Sequence, residues 1–594
     1  MADRVGTSAQ EVEAVARQSA ERDWVEAFAD EVVAAGERRC PGAPVVVASG
    51  ISPSGPIHLG NLREIMTPHF VADEIRRRGT ACRHILSWDD YDRLRRVPAG
   101  YDPAWSQHIG KPLTSVPAPE GSPYASWAEH FKAPLRAALR ELGVECEEIS
   151  QTERYTSGAY RSEILRAMAR RREIDAVLER YRTKGSSRPA ASRMGAGEPP
   201  RDAGTDSARE ARAGTTSEIP GGRREERDGD YYPYRPYCSA CERDLTTILS
   251  YDDSTTALAY RCACGHAETV TLAEYDRGKL VWKVDWPMRW AYERVVFEPS
   301  GVDHQSPGSS FVVGGELARE IFQYEPPIGP MYAFVGITGM AKMSSSRGGV
   351  PTPTDALSIM EAPVLRFLYA RRRPSQSFTV AFGDELHRLY DEWDALGLKV
   401  AARTASPAQT GSYDRAIRTA AGMLASTPRP MPYRMLTSVV DITTGETQQI
   451  LRILRDLDPA ETLEDLDAVR PRLDCARNWV ETEMPAEERT VVKDQPDREL
   501  LSSLGEEEAA AIELLVDGLA THWSLRGLTT LVYAVPKLQA GLDVDAVATP
   551  EIKARQRLFF ALVYRLLIGR ETGPRLPTLL LALGPERVRA LLGH

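Results

Sequence analysis

Two periods of apolar residues alternate along the first third of the chain. "ERDWVEAFADEVVAAGERR" repeats its apolar positions at helical spacing, and "APVVVAS" is an apolar run of strand length. "REIMTPHFVADEIRRRG" reads as an interrupted helix ending at Gly79, and "CRHILSW" as a second strand. Strands alternating with helices imply parallel βαβ units, so residues from about 22 to 180 predict an α/β sheet. The alternation resumes through "YAFVGITGMAKMSSSRGG" and gives way beyond about 356 to helical periodicity alone. In "IKARQRLFFALVYRLLIGRETGP", Leu558, Phe559, Leu562, Val563, Leu566 and Leu567 share one stripe, with Gly569 near its end. Residues 577 to 593 read as two short helical pieces, the second opening at Pro585.

The stretch 185–230 breaks both periods. Met194 and Ile219 are its large apolar residues, and charges of both signs alternate, so burial cannot offset the entropy of ordering it. It is expected to be a disordered insertion; its nearly balanced charge argues against a basic recognition arm. The expected organisation is therefore an N-terminal tail at 1–21, an α/β domain at 22–355 interrupted at 185–230 and 231–275, and an all-α region at 356–594. A chain of 594 residues has ample core-forming capacity for such an arrangement. No uninterrupted apolar run reaches membrane-spanning length, and the first residues lack an apolar signal core, so a cytoplasmic protein without a membrane partner is expected. The net charge of −10 argues mildly against nonspecific polyanion binding but does not exclude a local basic face.

Cysteine usage changes the picture at one place. Cys238 and Cys241 in "YCSAC" and Cys262 and Cys264 in "RCACG" form two thiol pairs about twenty residues apart, the pattern of a structural zinc knuckle with four sulfur ligands. The second pair is CxC, so His266 stays open as a replacement for one thiolate. Cys40, Cys82, Cys146 and Cys475 are scattered and read as ordinary buried or surface thiols.

The densest chemistry lies in "ASGISPSGPIHLGNLREI", residues 48–65, a Pro/Gly loop between a strand and a helix. Such a loop presents unpaired N–H groups at the positive end of a helix, suited to a nucleotide's phosphates and ribose. Gly55 and Gly60 permit close backbone approach, and His58 can donate to phosphate oxygens. Far downstream, "MAKMSSSRGG" sets Lys342 before a methionine, three serines and an arginine. A lysine on a hydroxyl-rich loop suits charge neutralisation as pyrophosphate leaves.

Together "HLGN" and "KMSSS" resemble the paired signature of class I aminoacyl-tRNA synthetases. With "RHILSWDDYDRLRRVP", "WAEHF", "YYPYRPYC", "KVDWPMRWAYE" and "GVDH", the chain resembles the class I-type lysyl-tRNA synthetases over most of its length, the tail and the 185–230 insertion excepted. The resemblance implies a Rossmann-like parallel-sheet catalytic domain, a helical anticodon-binding domain, activation of L-lysine by ATP with Mg2+, and transfer to the 3′ end of tRNA(Lys). By motif position it gives the nucleotide side to Pro53, Gly55, His58, Gly60 and Asn61, and the phosphate loop to Lys342, Met343, Ser344, Ser345 and Ser346. Gly50 and Ser52 are expected at the amino acid's α-groups or stem, and Trp286, His304 and Tyr332 along its pocket.

A lysine pocket needs an apolar wall and a negative end. Trp286 or Tyr332 suits the wall and a cation–π contact, while Glu64, Asp89, Asp90 and Asp303 are the candidate carboxylates, among which the residue pattern does not choose. Where many relatives carry an Asp/Cys/His cluster before "AEHF", this chain has "PAPEGSPYASWAEHF" and retains His130 alone, so one zinc and no second is expected. "RFLYARRRP" (366–374) and the cations Lys553, Arg555 and Arg557 are candidates for RNA contact. Two other functions stay open: a paralogue activating lysine or a lysine-like amino acid for a non-translational acceptor, and a non-catalytic tRNA-binding protein.

Overall fold

Three consecutive valines, buried on both faces, open β1 (Val45–Ile51), the strand around which the first unit is built. The computed structural model describes residues 23–182, 230–338, 350–443, 447–457 and 463–594. The expected tail, most of the 185–230 insertion and the loop bearing Lys342, Met343, Ser344, Ser345 and Ser346 therefore lie outside the described residues. The chain divides into two units: 1–354 with 368–380 and 418–422, and 355–367 with 381–417 and 423–594.

In the first unit, α1 (Trp24–Arg39) opens on Asp23, whose carboxylate accepts from Val25 N–H at 2.8 Å and Glu26 N–H at 3.3 Å, capping two otherwise unpaired donors. After β1, His58 precedes α2 (Leu59–Arg77), which leads to β2 (Cys82–Trp88). The expected interruption of α2 is absent: the helix runs through Pro68, losing one internal hydrogen bond, and stops at Arg77 before Gly79 turns left-handed at φ +81°. Helix α3 (Trp127–Glu141) then leads to β3 (Glu147–Ser150).

The segment after residue 230 is a small antiparallel module. Strands β4 (Tyr234–Pro236) and β8 (Gly278–Leu280) pair, and β5 (Thr246–Tyr251), β6 (Ala257–Cys262) and β7 (Ala267–Thr271) form a three-stranded sheet. Helix α4 (Trp282–Glu293) follows, then β9 (Val295–Phe297). The main sheet is parallel throughout, in the order β3-β2-β1-β9. The first three strands step outward in one direction and β9 returns to the opposite side of β1, so the strand order reverses between β1 and β9. Ligands in open α/β sheets bind at such a reversal, beyond the carboxyl ends of the strands.

Side-chain alternation assigns the two faces. Phe297 meets Phe28 of α1, whereas Val46, Ala48, Ile85, Ile149 and Val295 form a second cluster with Trp286 and Trp290 of α4. Gly314 permits that packing, since a Cβ there would sit 3.1 Å from the Trp290 ring.

The second unit is nearly all helical. Its interior holds Arg472, 2% exposed, which reaches Glu361 Oε2 at 2.8 Å and Asp394 Oδ2 at 2.8 Å while lying over the Tyr390 ring. Helices α5 (Leu525–Gln539) and α6 (Pro550–Ile568) pack together, and α6 ends on Gly569 at φ +72°. The expected apolar stripe of α6 holds for Phe559, Leu562, Val563, Leu566 and Leu567, but Leu558 is 72% exposed. It lies one position beyond the packed arc, among Arg555, Arg557 and Ala561. No described helix is long and apolar enough to cross a membrane.

Candidate active site and metal cluster

At the reversal between β1 and β9 lies a cavity of about 190 Å³. Its floor is one face of the sheet, from Ile149 of β3 through Ile85 and Ala48 to Val295, and its roof is α4. For scale, an engineered apolar cavity of about 150 Å³ admits benzene. Trp282, Trp286 and Trp290 recur every four residues on α4 and so share one stripe. Trp282 stacks on Trp286 at 5.0 Å, and Trp286 meets His304 edge-on at 5.6 Å.

Six residues expected at a lysine site line this cavity: Gly50, Glu64, Asp89, Trp286, His304 and Tyr332. Tyr332 O–H donates to Glu64 Oε2 at 3.0 Å. Burial pushes the Glu64 carboxyl up to about 8, with Glu298 and Asp89 adding repulsion. Burial keeps His304 below its ordinary value, hence neutral.

Three expected residues are not on the wall. Ser52 lies past the end of β1 and is exposed. Asp90 sits on the opposite side from Asp89, because alternation sends Ile85, Ser87 and Asp89 to the cavity and the next residue away from it. There Asp90 accepts from Lys132 Nζ at 2.7 Å, Ser150 Oγ at 2.7 Å and Thr152 N–H at 2.8 Å; it is a buried structural anion rather than a pocket carboxylate. Asp303 is half-buried beside the cavity, and its Oδ1 has no hydrogen-bond partner among the described residues.

Sequence reasoning missed Glu298, Arg289, Trp290 and Gln151. Glu298 is 7% exposed and accepts from two indoles, Trp286 Nε1 at 3.0 Å on Oε1 and Trp290 Nε1 at 2.6 Å on Oε2. Burial raises its carboxyl to about 7. Arg289 pairs with Asp285 on its own helix and reaches Asp89 Oδ1 at 2.5 Å. The missed signal was the four-residue spacing of tryptophans, together with an acid following the apolar triplet "VVF".

Above the cavity, Pro53 and Gly55 are buried and His58, Gly60 and Asn61 are half-buried. Asn61 Oδ1 accepts from His58 N–H at 3.2 Å, closing the first turn of α2. Burial lowers the His58 imidazole to about 4, and its buried Nδ1 has no partner among the described residues. The chain on the far side of the Lys342 segment returns here: Leu59 N–H donates to Pro351 O at 3.0 Å.

The four paired cysteines converge. Their sulfurs all lie within 4.8 Å of one another, with Cys241–Cys262 at 3.6 Å and Cys238–Cys264 at 3.8 Å. Tetrahedral zinc with sulfur at about 2.3 Å separates its ligands by about 3.8 Å, so the donor set fits. His266 instead turns its Nε2 to Ser239 Oγ at 3.0 Å. Among the described residues these cysteines are the one cluster of three or more His, Cys, Asp or Glu suited to a metal. His130 Nδ1 pairs with Ser122 Oγ at 3.0 Å.

The candidate RNA stretches differ from each other. In "RFLYARRRP", Arg366 is fully buried and donates to Arg415 O at 3.0 Å, and Phe367 and Tyr369 are core residues, so its aromatics are not a stacking face; past the end of that helix at Ala370, Arg371 is half-buried and Arg372 and Arg373 are exposed. Lys553, Arg555 and Arg557 are exposed on α6, and Tyr533 of α5, 45% exposed, meets Phe560 edge-on at 5.1 Å.

Residues 22–421 match the family model described as tRNA synthetases class I (K). The chain is 61% identical over 588 residues to the lysine–tRNA ligase of Streptomyces coelicolor, covering 98% of this chain and 100% of that protein. It is 31% identical over 576 residues to the lysine–tRNA ligase of Thermococcus kodakarensis, covering 95% and 98% respectively. Among solved structures, a glutamate tRNA ligase from Elizabethkingia meningosepticum in complex with its amino acid covers 93% of this chain and 98% of that chain at a TM-score of 0.40 and 12% identity, too loose a likeness to carry argument.

Proposed function

The chain belongs to the class I tRNA synthetases of the lysine type, and from that membership we propose that it activates L-lysine with ATP and charges tRNA(Lys) through the cavity between β1 and β9. The observation that carries the reading is that cavity's chemistry: an aromatic slot holding two carboxyl groups, Glu64 and Glu298, that make no ion pair with a described residue. A buried carboxylate without a cation is costly, and a cationic substrate removes the cost.

No side chain has to become a nucleophile. The lysine carboxylate attacks the α-phosphate, pyrophosphate departs, and a terminal ribose hydroxyl of tRNA then displaces AMP from the adenylate carbonyl. Catalysis is positioning and charge stabilisation. His58 stands ready as a neutral donor at the start of α2, where the helix dipole favours phosphate, and the approaching anion raises its imidazole toward the protonated form. Lys342 and Ser344–Ser346 take the departing phosphates, a role supported by their motif and by the return of the chain at Pro351 to the His58 helix. Magnesium accompanies the nucleotide. A structural zinc on Cys238, Cys241, Cys262 and Cys264 would tie the turn after β4 to the end of β6. In the second unit, the exposed cations of α6 beside Tyr533 and Phe560 form a face suited to unpaired bases.

The test is ATP–pyrophosphate exchange with each of the twenty amino acids and ornithine, followed by charging of bulk tRNA. Lysine-dependent exchange with charging is expected. Exchange without charging assigns a different acceptor, and absence of exchange with every amino acid overturns the reading.

A further inference from the structure

Arginine occurs three times as a consecutive triplet, at 76–78, 170–172 and 371–373. The first two are answered by acids. Arg76 meets Glu145, Arg77 and Arg78 meet Glu74, and Arg78 also reaches Asp30. Arg170 pairs with Glu173, and Arg171 with Asp253 at 2.8 Å. The third triplet has no acid near it in sequence, since no Asp or Glu occurs between Glu361 and Asp384. In a chain of net charge −10, that stretch is a local basic surplus.

The loop that carries it is fixed by the nucleotide end of the first unit. Tyr369 O–H donates at 2.9 Å to the carbonyl of Leu59, the residue next to His58. Arg63 of α2, 2% exposed, donates to Arg373 O at 2.7 Å and Gln376 O at 2.8 Å and lies over the Phe378 ring. Gln376 Oε1 accepts from Arg373 N–H at 3.0 Å, and Ala333 N–H donates to the carbonyl of buried Pro374 at 2.8 Å. Strand β10 (Val335–Ile337), which precedes the Lys342 segment, pairs with β11 (Phe378–Val380). Burial lowers the Arg63 guanidinium to about 10, so this arrangement costs free energy that a plain connector would not require. Its result is a fixed loop with Arg372 and Arg373 on the outside.

The loop's place selects the anion. Arg63 is five residues past His58, about 7.5 Å of helix rise. The triphosphate of ATP belongs at the N-terminus of α2, with His58. The arginines stand farther along, beside α2 and the strand that precedes Lys342. A polyanion whose last ribose reaches the cavity carries its next phosphates past that rim. Arginine meets a phosphate with two parallel N–H donors, and a loop already fixed loses little entropy in presenting them. We propose that Arg372 and Arg373 bind phosphates of the unpaired 3′ strand of tRNA as its terminal ribose enters the cavity. The assignment rests on the tRNA-charging reading and adds an RNA contact made by residues other than those of the α6 face.

The test titrates the intact protein, by filter binding, with tRNA(Lys) and with the same tRNA after removal of its unpaired 3′ strand. Each phosphate contact on a single strand contributes about 0.7 to the slope of log affinity against log salt. Arg372→Ala combined with Arg373→Ala should therefore reduce that slope by about 1.4 and weaken full-length tRNA about tenfold near 0.15 M salt. The truncated tRNA should bind the variant and the wild type equally, because the partner of the lost contact is gone from both. Lysine at both positions keeps the charge and should restore affinity to within about threefold. Pyrophosphate exchange runs without tRNA, so an unchanged ATP KM there shows that the alanine variant is folded. Wild-type affinity for full-length tRNA in that variant, or an equal loss with the truncated tRNA, overturns the assignment. A raised ATP KM with unchanged RNA binding gives the arginines to the nucleotide and overturns it as well. Wild-type protein without lysine-dependent exchange overturns the function itself.

Discussion

Lysine binding should expel a proton. Burial holds Glu64 at about 8 and Glu298 at about 7, against an ordinary value of 4.5. The neighbouring charges are already part of those values: Arg289 draws Glu298 down and Asp89 pushes both acids up, while burial keeps His304 neutral and Tyr332 is pushed well above its ordinary range. At pH 7 the two glutamates therefore hold between one and two protons. An ammonium about 4 Å away is worth about 4 kcal/mol at the effective dielectric of such sites, or about three pKa units, enough to ionise both. Uptake of one lysine at pH 7 should release between one and two protons, and Kd should fall by up to nearly a hundredfold per pH unit near pH 6, less steeply toward pH 8, then level off. Calorimetry of the intact protein with lysine, in two buffers of different ionisation heat, reads the proton count directly. The same groups fix the sign of a stability effect. Each folded-state value is raised above the unfolded one, so the folded protein holds more protons between about pH 4.5 and pH 8, and lysine-free stability is highest below that window and falls as pH rises through it. Saturating lysine should cancel the fall. A buffer-independent binding heat with a pH-flat Kd refutes the reasoning, since it requires the two acids to be ionised before lysine arrives.

Other outcomes follow from single residues. Asp90→Asn leaves Lys132 with Glu129 alone at 2.9 Å, so chemical denaturation should show a loss of about 1–3 kcal/mol while the lysine KM stays unchanged. The purified protein should contain one zinc per chain by metal analysis, and Cys241→Ser should lower that content and open the β5–β7 sheet to proteolysis. Lys342→Ala should slow activation by orders of magnitude with lysine binding nearly intact by calorimetry; equal loss of both would contradict its role with the phosphates. Arg557→Glu on the exposed face of α6 should weaken tRNA binding about tenfold by filter binding without altering lysine-dependent exchange.

The parallel sheet was legible because its strands announce themselves locally. "VVVAS" and "CRHILSW" are runs whose burial needs no distant partner to recognise, and β2 occupies Cys82–Trp88, the run as read. Cap chemistry was legible for the same reason, as Gly569 and Pro585 stand at the helix boundaries where their backbone preferences put them. Errors arose where a property depends on what lies across space. Leu558 satisfies a helical stripe on paper, but the partner surface ends one residue short of it. In the Arg–aromatic run at 366–374, composition cannot distinguish Arg366, buried and bonded to a carbonyl, from Arg372 and Arg373, which are exposed.

The pocket shows the same division more sharply. Asp89 and Asp90 are equivalent as letters, and only the pairing of β2 between β1 and β3 makes one a cavity acid and the other the partner of Lys132. Glu298 is the reverse case. It belongs to none of the motifs read along the chain, yet the return of β9 beside β1 sets it under two indoles borne on the preceding helix. A charged residue directly after an apolar strand, beneath a helix that repeats tryptophan every four residues, is therefore the pattern by which such an acid becomes readable: the sheet provides the depth and the indoles provide the donors, while no described residue forms an ion pair with it.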